Sequence, residues 1–234
     1  MMEPGLYCMD CMEAMKQFPD KFFDLAIVDP PYGDGNAKIG VGGGAIRRAV
    51  RQIQGASRTG GTWAQKYGKK IIAWDVAPGK EYFDELFRVS RDQIIWGGNY
   101  FALPPTRCFL IWDKQQGENF SMAMAEYAWT SFQGNAKIFR MPPMGKPGER
   151  FHPTQKPVQL YSWILGRYAA PGMKILDTHA GSASSLVACR MAGLDQAWGF
   201  EIDSVYYEKA KQRLDAAQAQ VMLCDLVEQE QISL

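Results

Sequence analysis

The stretch MKILDTHAGSASSLVACRMAG, Met173 to Gly193, decides the fold class of this chain. Its first apolar residues form a run that ends at Asp177 and predicts a buried strand. A turn of small residues follows, and the segment that opens near Ser184 predicts a helix with Gly193 as its C-cap. A strand, a short turn and a helix in this order are typical of an α/β sheet.

The same alternation continues on both sides of this stretch. QAWGFEID predicts a strand that closes on Glu201, and the following segment predicts a helix with Ser204 as its N-cap. Upstream, the apolar patterns predict strands at 6–9, 25–28, 93–96, 108–112, 125–132 and 136–141, and helices at 11–18, 80–90 and from Pro157 to just before Gly172. Strands that alternate with helices predict a doubly wound, mainly parallel sheet.

Length and composition predict one soluble domain spanning residues 1–234. Hydrophobic residues make up 47% and charged residues 22% of the chain, and no apolar run approaches the roughly 20 residues that span a bilayer. The N-terminus has no secretory pattern, and the five scattered cysteines suit a reducing cytoplasm. A lone Cys8–Cys11 pair with only two histidines in the chain predicts no metal site.

The net charge of +1 hides a strongly basic segment. Residues 35–74 contain eight lysines and arginines and no acidic residue, within a Gly- and Arg-rich insertion that we place at 33–74. A local block of positive charge in a neutral chain predicts contact with a polyanion, and a solvated loop is the alternative. The candidate DNA-binding residues are Arg47, Arg48, Arg51, Arg58 and Lys66.

Acidic residues close four of the predicted strands. Ligands of doubly wound sheets bind beyond the carboxyl ends of the strands, so this rule gathers the four acids at one edge: Asp10, Asp29, Asp177 and Glu201. Small residues after Asp177 allow close approach of a ligand, and Glu201, 24 residues later, can accept hydrogen bonds from ribose hydroxyls. Because no lysine or arginine lies between 177 and 185, S-adenosylmethionine fits this turn better than ATP.

The stretch DLAIVDPPYGDG, Asp24 to Gly35, predicts a fixed clamp for an amino group. Its two prolines cannot continue the strand because they lack a backbone N–H and fix φ. Asp29 and the carbonyl of Pro30 offer two acceptors for the two hydrogens of an exocyclic amino group. Tyr32 offers a flat face on which a base can stack, a contact of about 1–3 kcal/mol.

Four motifs in this order resemble those of the DNA amino-methyltransferases. They are DPPY at 29–32, HPTQKP at 152–157, DTHAGSAS at 177–184 and FEID at 200–203. The catalytic motif precedes the cofactor turn, which is the circularly permuted order of the β class. The resemblance implies the Rossmann-like fold of S-adenosylmethionine-dependent methyltransferases, transfer to adenine N6 in double-stranded DNA, and relation to restriction–modification enzymes. It also implies a homodimer as a family expectation.

The resemblance assigns roles to matching positions. Asp29, Pro30 and Tyr32 hold the flipped target base, while Glu201 holds the ribose and Asp10 lies near the adenine of the cofactor. Asp225, which also follows an apolar run, is the alternative to Asp10. The remaining cofactor-binding positions are Thr154, Gln155, Lys156, Asp177, His179, Ala180, Gly181 and Ser182.

The cofactor turn departs from the commoner pattern D-P-F-x-G-S-G-T. Thr178 and His179 replace the Pro-Phe pair, and Ala183 and Ser184 replace the Gly-Thr pair. His179 either covers the cofactor or is satisfied within its own turn. Alternative functions are N4-cytosine methylation and a non-catalytic DNA-binding module with the same fold; Asp at position 29 favours adenine over cytosine within this resemblance.

Overall fold

The computed structural model describes residues 2–32, 76–117, 123–143 and 150–232, and only the backbone of 221–232. The predicted basic insertion at 33–74, with all five candidate DNA-binding residues, lies outside this part of the chain.

The described residues form one eight-stranded sheet flanked by helices. The strands are β1 (Gly5–Cys8), β2 (Phe23–Val28), β3 (Ser90–Trp96), β4 (Phe109–Asp113), β5 (Ala125–Thr130), β6 (Lys137–Arg140), β7 (Ile175–Asp177) and β8 (Ala197–Glu201). The helices are α1 (Cys11–Met15), α2 (Lys80–Val89), α3 (Val158–Tyr168), α4 (Ser184–Met191) and α5 (Ser204–Ile232), with a 3₁₀ turn at Gly98–Tyr100.

The strand order is β1-β8-β7-β2-β3-β5-β4-β6. The strands β1, β8, β7, β2 and β3 are parallel neighbours, and β5 alone runs antiparallel to the rest of the described sheet. The prediction of a doubly wound, mainly parallel sheet is therefore confirmed. Its consequence for function is that five neighbouring strands point their carboxyl ends to one edge.

Helices cover both faces of the sheet because the central strands are apolar on both sides. In β2, Ala26 and Val28 belong to a buried cluster with side chains of α1 and α2, whereas Leu25 and Ile27 face α3. The helix α5 packs on α4 through a third apolar cluster. This three-layer packing holds the strand ends, and the loops that follow them, in fixed positions.

Several helix ends differ from the sequence predictions: α1 ends at Met15 instead of residue 18, and α3 ends at Tyr168, four residues before Gly172. The prediction of Ser204 as the N-cap of α5 is wrong, since Asp203 Oδ1 accepts the N–H groups of Val205 and Tyr206 at 2.8 and 3.1 Å. At the end of α4 the C-cap is Ala192, one residue before the predicted Gly193, and Gly193 follows it with the φ of +66° that is typical of glycine just beyond a helix. Within the described residues, every helix is too short or too polar to cross a membrane.

Candidate active site

Neighbouring parallel strands bring the predicted acidic residues to one edge of the sheet. Strand β2 pairs with β7, where Ala26 lies opposite Leu176. Asp29 directly follows β2, and Asp177 is the last residue of the adjacent β7. Strand β8 lies on the other side of β7 and closes on Glu201. The structure therefore places the predicted amino-group clamp directly beside the predicted cofactor turn.

The turn between β7 and α4 is held by two buried carboxylates. Asp177 accepts hydrogen bonds from the Ser185 hydroxyl and, at 3.1 Å, from the backbone N–H of His179. Glu201 Oε2 accepts the N–H of Gly181 at 2.8 Å. Gly181 and Ala183 have φ values of +53° and +54°, so the alanine occupies a left-handed conformation that favours glycine. The position of the expected second glycine is thus held by an alanine whose backbone adopts a conformation that favours glycine.

Burial changes the acidity of both carboxylates. Asp177 is 3% exposed, and desolvation raises its pKa to about 7 despite the hydrogen bonds from Ser185 and His179. Burial also raises the pKa of Glu201. A buried carboxylate favours a ligand that brings a positive charge or hydroxyl donors, because such a ligand compensates for the lost water. The turn is therefore suited to a cationic nucleoside and ill suited to a phosphate.

His179 is an uncharged ring at this edge. Burial lowers its pKa to about 4, and its Nδ1 lies 2.9 Å from the hydroxyl of Thr178. That hydroxyl lies 2.6 Å from the phenol oxygen of Tyr82, whose ring meets the imidazole edge-on. The ring nitrogen Nδ1 thus has a hydrogen-bond partner within its own turn. The partly exposed surface of the ring is also available to cover a ligand.

The HPTQKP loop packs on the cofactor turn. A Cβ added at Gly181 would lie 3.3 Å from the imidazole of His152, whose pKa burial lowers to about 3. Thr154 Oγ1 lies 3.2 Å from His152 Nδ1, and Gln155 Oε1 accepts the N–H of Phe151 at 3.3 Å. These contacts hold Thr154 and Gln155 within the loop whose His152 ring packs on the turn; their role in cofactor binding stays a prediction.

Lys156 connects the two halves of the site. Its carbonyl accepts the Ser184 hydroxyl at 2.8 Å on the cofactor side. Its ammonium, however, donates to Asp29 Oδ2, lies 3.4 Å from the Tyr32 hydroxyl and is 3.1 Å from Glu126 Oε2. The side chain therefore lies against the amino-group clamp, a placement that the sequence did not predict.

Tyr32 is fixed at both its hydroxyl and its ring. The hydroxyl donates to Asp29 Oδ1 at 2.7 Å, and one face of the ring stacks on Tyr100 with a centroid distance of 4.9 Å. Gly97, at a φ of +67°, brings the backbone close to the ring: an added Cβ would lie 2.5 Å from Tyr32 Cδ1. A base that stacks on Tyr32 must use the other face or displace the half-exposed Tyr100.

Asp10 lies at the outer end of this edge. Its side chain accepts the N–H groups of Met12 and Glu13 at 2.7 and 3.2 Å and caps α1. The preceding Met9 donates to the carbonyl of Glu201 at 3.0 Å, which fixes Asp10 near the end of β8. The alternative, Asp225, lies inside α5 and follows no strand.

Sequence reasoning missed three residues of the site: Lys114, Glu126 and Tyr100. A glutamate within a predicted strand was the available signal for Glu126, and the glycine pair before Tyr100 was another. Across the described residues, no group of three or more His, Cys, Asp or Glu side chains is arranged to hold a metal ion.

Comparison with known proteins agrees with this geometry. Residues 111–212 match the N6/N4 methyltransferase family described as DNA methylase. The chain is 37% identical over 222 residues to a protein of Escherichia coli K12 named "Putative methylase YubD", and the match covers 89% of each chain.

Two solved structures share the fold. The M1.HpyAVI–SAM complex has a TM-score of 0.54 and 18% identity, over 91% of this chain and 99% of that one. The PvuII DNA methyltransferase, described as cytosine-N4-specific, has a TM-score of 0.54 and 12% identity, over 94% of this chain and 93% of that one. The eight-stranded sheet is thus the fold of S-adenosylmethionine-dependent methyltransferases.

Proposed function

We propose that this chain, which belongs to the DNA methylase family, transfers a methyl group from S-adenosylmethionine to the N6 amino group of adenine in double-stranded DNA. One observation carries the proposal: Asp29 lies at the end of β2, directly beside the cofactor turn at the end of β7. The order of these motifs along the chain supports the permuted β class. A homodimer remains a prediction of the resemblance.

The turn has the properties that S-adenosylmethionine requires. When bound, this cofactor supplies an electrophilic methyl group on a positively charged sulfur. Asp177 and the backbone from Ala180 to Ser182 would hold its amino-acid end, together with Thr154, Gln155 and the backbone of Lys156. Glu201 would accept its ribose hydroxyls, and Asp10 and His179 would lie against the remaining surfaces. The buried carboxylates and the φ of +53° at Gly181 support this fit.

The clamp would activate the amino group of the target base. That group is a poor nucleophile because its lone pair is delocalised into the ring. Hydrogen bonds to Asp29 and the Pro30 carbonyl would localise the lone pair and stabilise the positive charge that develops on nitrogen. The base must leave the double helix, at a cost of a few kcal/mol, and Tyr32 would receive it. Fixed geometry supplies much of the remaining acceleration.

Methyl transfer to mixed-sequence duplex DNA tests the proposal. We expect labelled methyl groups to appear in N6-methyladenine after nucleoside digestion and mass spectrometry. N4-methylcytosine would overturn the choice of base and retain the mechanism, since the carboxylate at position 29 supports adenine by resemblance alone. Cofactor binding without transfer to either base would point to RNA, single-stranded DNA or a missing partner, whereas absence of cofactor binding would favour the non-catalytic DNA-binding alternative.

Cofactor binding is expected to weaken below neutral pH. If the ionised Asp177 receives the protonated amino group of the cofactor, its pKa of about 7 means that a proton must leave before binding. The affinity for S-adenosylhomocysteine should therefore rise about tenfold from pH 6 to pH 8, because the ionised fraction rises by that factor. Isothermal titration calorimetry across this range measures the change.

The Asp177→Asn variant is the matched control for this pH dependence. This variant should bind S-adenosylhomocysteine more weakly, and its affinity should rise much less between pH 6 and pH 8. Titration of the ligand amine and of Glu201 is common to both proteins, so the difference isolates Asp177. An identical slope in the two proteins would contradict the assignment.

The basic insertion is expected to contribute electrostatic affinity for DNA. Replacing Arg47, Arg48 and Arg51 by alanine should weaken DNA binding at 50 mM salt. It should also reduce the slope of log K against log salt by up to about three, since each phosphate contact releases about 0.9 counterion. Fluorescence anisotropy over 50–200 mM salt gives both values. Cofactor affinity must stay unchanged, and an unaltered slope would remove these residues from the interface.

A further inference from the structure

A row of alternating charges extends from Asp29 into the protein. The Lys156 ammonium contacts Asp29 Oδ2 and lies 3.1 Å from Glu126 Oε2, while Glu126 Oε1 lies 2.5 Å from the Lys114 ammonium. Both lysine residues are only 4% exposed. The described ion pairs thus link Glu126 and Lys114 to Asp29 through Lys156.

Each of the four side chains in this row lies within ion-pair distance of an oppositely charged neighbour. The two lysines hold the pKa of Glu126 down at about 2, against the opposing effect of burial. Asp29 and Glu126 together raise the pKa of Lys156 although desolvation acts in the opposite direction. Lys156 is therefore a buried ammonium shared between two carboxylates. Removal of one partner from such a group leaves an uncompensated charge unless a second partner is at hand.

The arrangement has a consequence for the acceptor role of Asp29. Both carboxylate oxygens already accept protein donors, Oδ1 from the Tyr32 hydroxyl and Oδ2 from Lys156. A target amino group must share or take over one of these acceptor positions. If the Lys156 ammonium had no other partner, it would remain on Asp29, neutralise its charge and compete with the base.

We propose that Glu126 is a positioning residue for methyl transfer: it receives the Lys156 ammonium when Asp29 accepts the amino group of the target base. Lys114 holds the other oxygen of Glu126, so the carboxylate stays directed at Lys156. The inference rests on the proposed function for its substrate, and on the four-residue charge row for its geometry.

The Glu126→Gln variant tests this role. The neutral amide keeps the size of the side chain but offers the ammonium a weaker partner. We expect the single-turnover rate of methyl transfer to fall more than about tenfold, equal to about 1.4 kcal/mol of barrier. Cofactor affinity should stay within about twofold, because Glu126 makes no described contact with the cofactor turn. Glu126→Asp, which keeps the charge, should restore part of the rate.

Asp113→Asn is the matched control. It removes the same charge from the neighbouring strand β4, where Asp113 pairs in register with Ala125 and contacts the exposed Arg140 at 3.5 Å. Its rate should equal that of the wild-type protein. A merely structural role for Glu126 would lower the urea midpoint and the amount of active enzyme, and would leave the single-turnover rate of the folded fraction unchanged.

A double-mutant cycle on unfolding makes the test independent of activity. We expect the shifts in urea midpoint caused by Glu126→Gln and Lys156→Met to be clearly non-additive, because the two residues share one ion pair. Additive shifts would overturn the inference even if the protein methylates no DNA. An active wild-type protein with a Glu126→Gln rate equal to that of Asp113→Asn would also overturn it. A wild-type protein that lacks transfer would instead refute the proposed function.

Discussion

Asp29→Ala is expected to lower the rate of methyl transfer by about 10²- to 10³-fold while cofactor affinity stays within about twofold. The loss is large because, in the proposed mechanism, the carboxylate is the charged acceptor for the nitrogen on which positive charge develops, and single groups of this kind contribute about 2.7–4 kcal/mol. Cofactor affinity survives because the contacts of Asp29 are with Tyr32 and Lys156, outside the cofactor turn.

Asp29→Asn provides the finer comparison. Its amide oxygen can still accept, but its NH₂ group must face a donor, either the Tyr32 hydroxyl, the Lys156 ammonium or the target amino group. We therefore expect a loss close to that of alanine, in spite of the conserved size. Single-turnover transfer and calorimetric cofactor titration measure the two effects. Lys156 retains Glu126 as a partner at 3.1 Å, so both variants should fold. Weak cofactor binding by either variant would count against the assignment of Asp29 to the base.

Gly97→Ala is expected to reduce methyl transfer by about 100-fold or more. The added Cβ would lie 2.5 Å from Tyr32 Cδ1 and closer still to Cε1, so the ring must move. It cannot move without breaking its hydrogen bond to Asp29 or its stack on Tyr100. A displacement of about 1 Å at a reacting centre costs about 10²-fold in rate. The left-handed φ of +67° adds about 1–2 kcal/mol of instability for a non-glycine residue.

Gly193→Ala separates these two effects. Gly193 has nearly the same φ, +66°, but an added Cβ there meets nothing within 4 Å. Both variants should lose similar stability in urea unfolding from the backbone alone, with a further loss at Gly97 from the displaced ring. Only Gly97→Ala should lose activity in excess of its unfolded fraction. Equal transfer rates for the two folded variants would show that the position of Tyr32 does not matter for the reaction.

Local patterns predicted most of the secondary structure. The apolar run before Asp29 and the run that closes on Asp177 are strands, and the 3.6-residue spacing over 80–90 is helix α2. These features depend on neighbouring residues, so the sequence carries them directly. The wrong prediction of Ser204 as an N-cap is also a local matter. Asp203, one residue earlier, accepts the backbone N–H groups at the start of α5.

The amino-acid sequence by itself also determined which carboxylates share an edge. The alternation of strands and helices implies parallel strands, and parallel strands align their carboxyl ends, so the sequence alone groups Asp29, Asp177 and Glu201. The sequence likewise showed that the turn after Asp177 lacks an expected glycine at Ala183. Only the structure showed that this alanine adopts a left-handed conformation, which favours glycine.

Tertiary structure alone decided what surrounds the clamp. The side chains of Asp29 and Lys156 meet across 127 positions of the chain, and Glu126 reaches Lys156 from β5, the antiparallel strand inserted between β3 and β4. No periodicity encodes this strand order, because each strand satisfies its own apolar pattern equally well beside several neighbours. Asp29, Lys156 and Glu126 come into contact only when the sheet and α3 have packed and excluded water. At that point a buried ammonium must pair with the carboxylates within its reach.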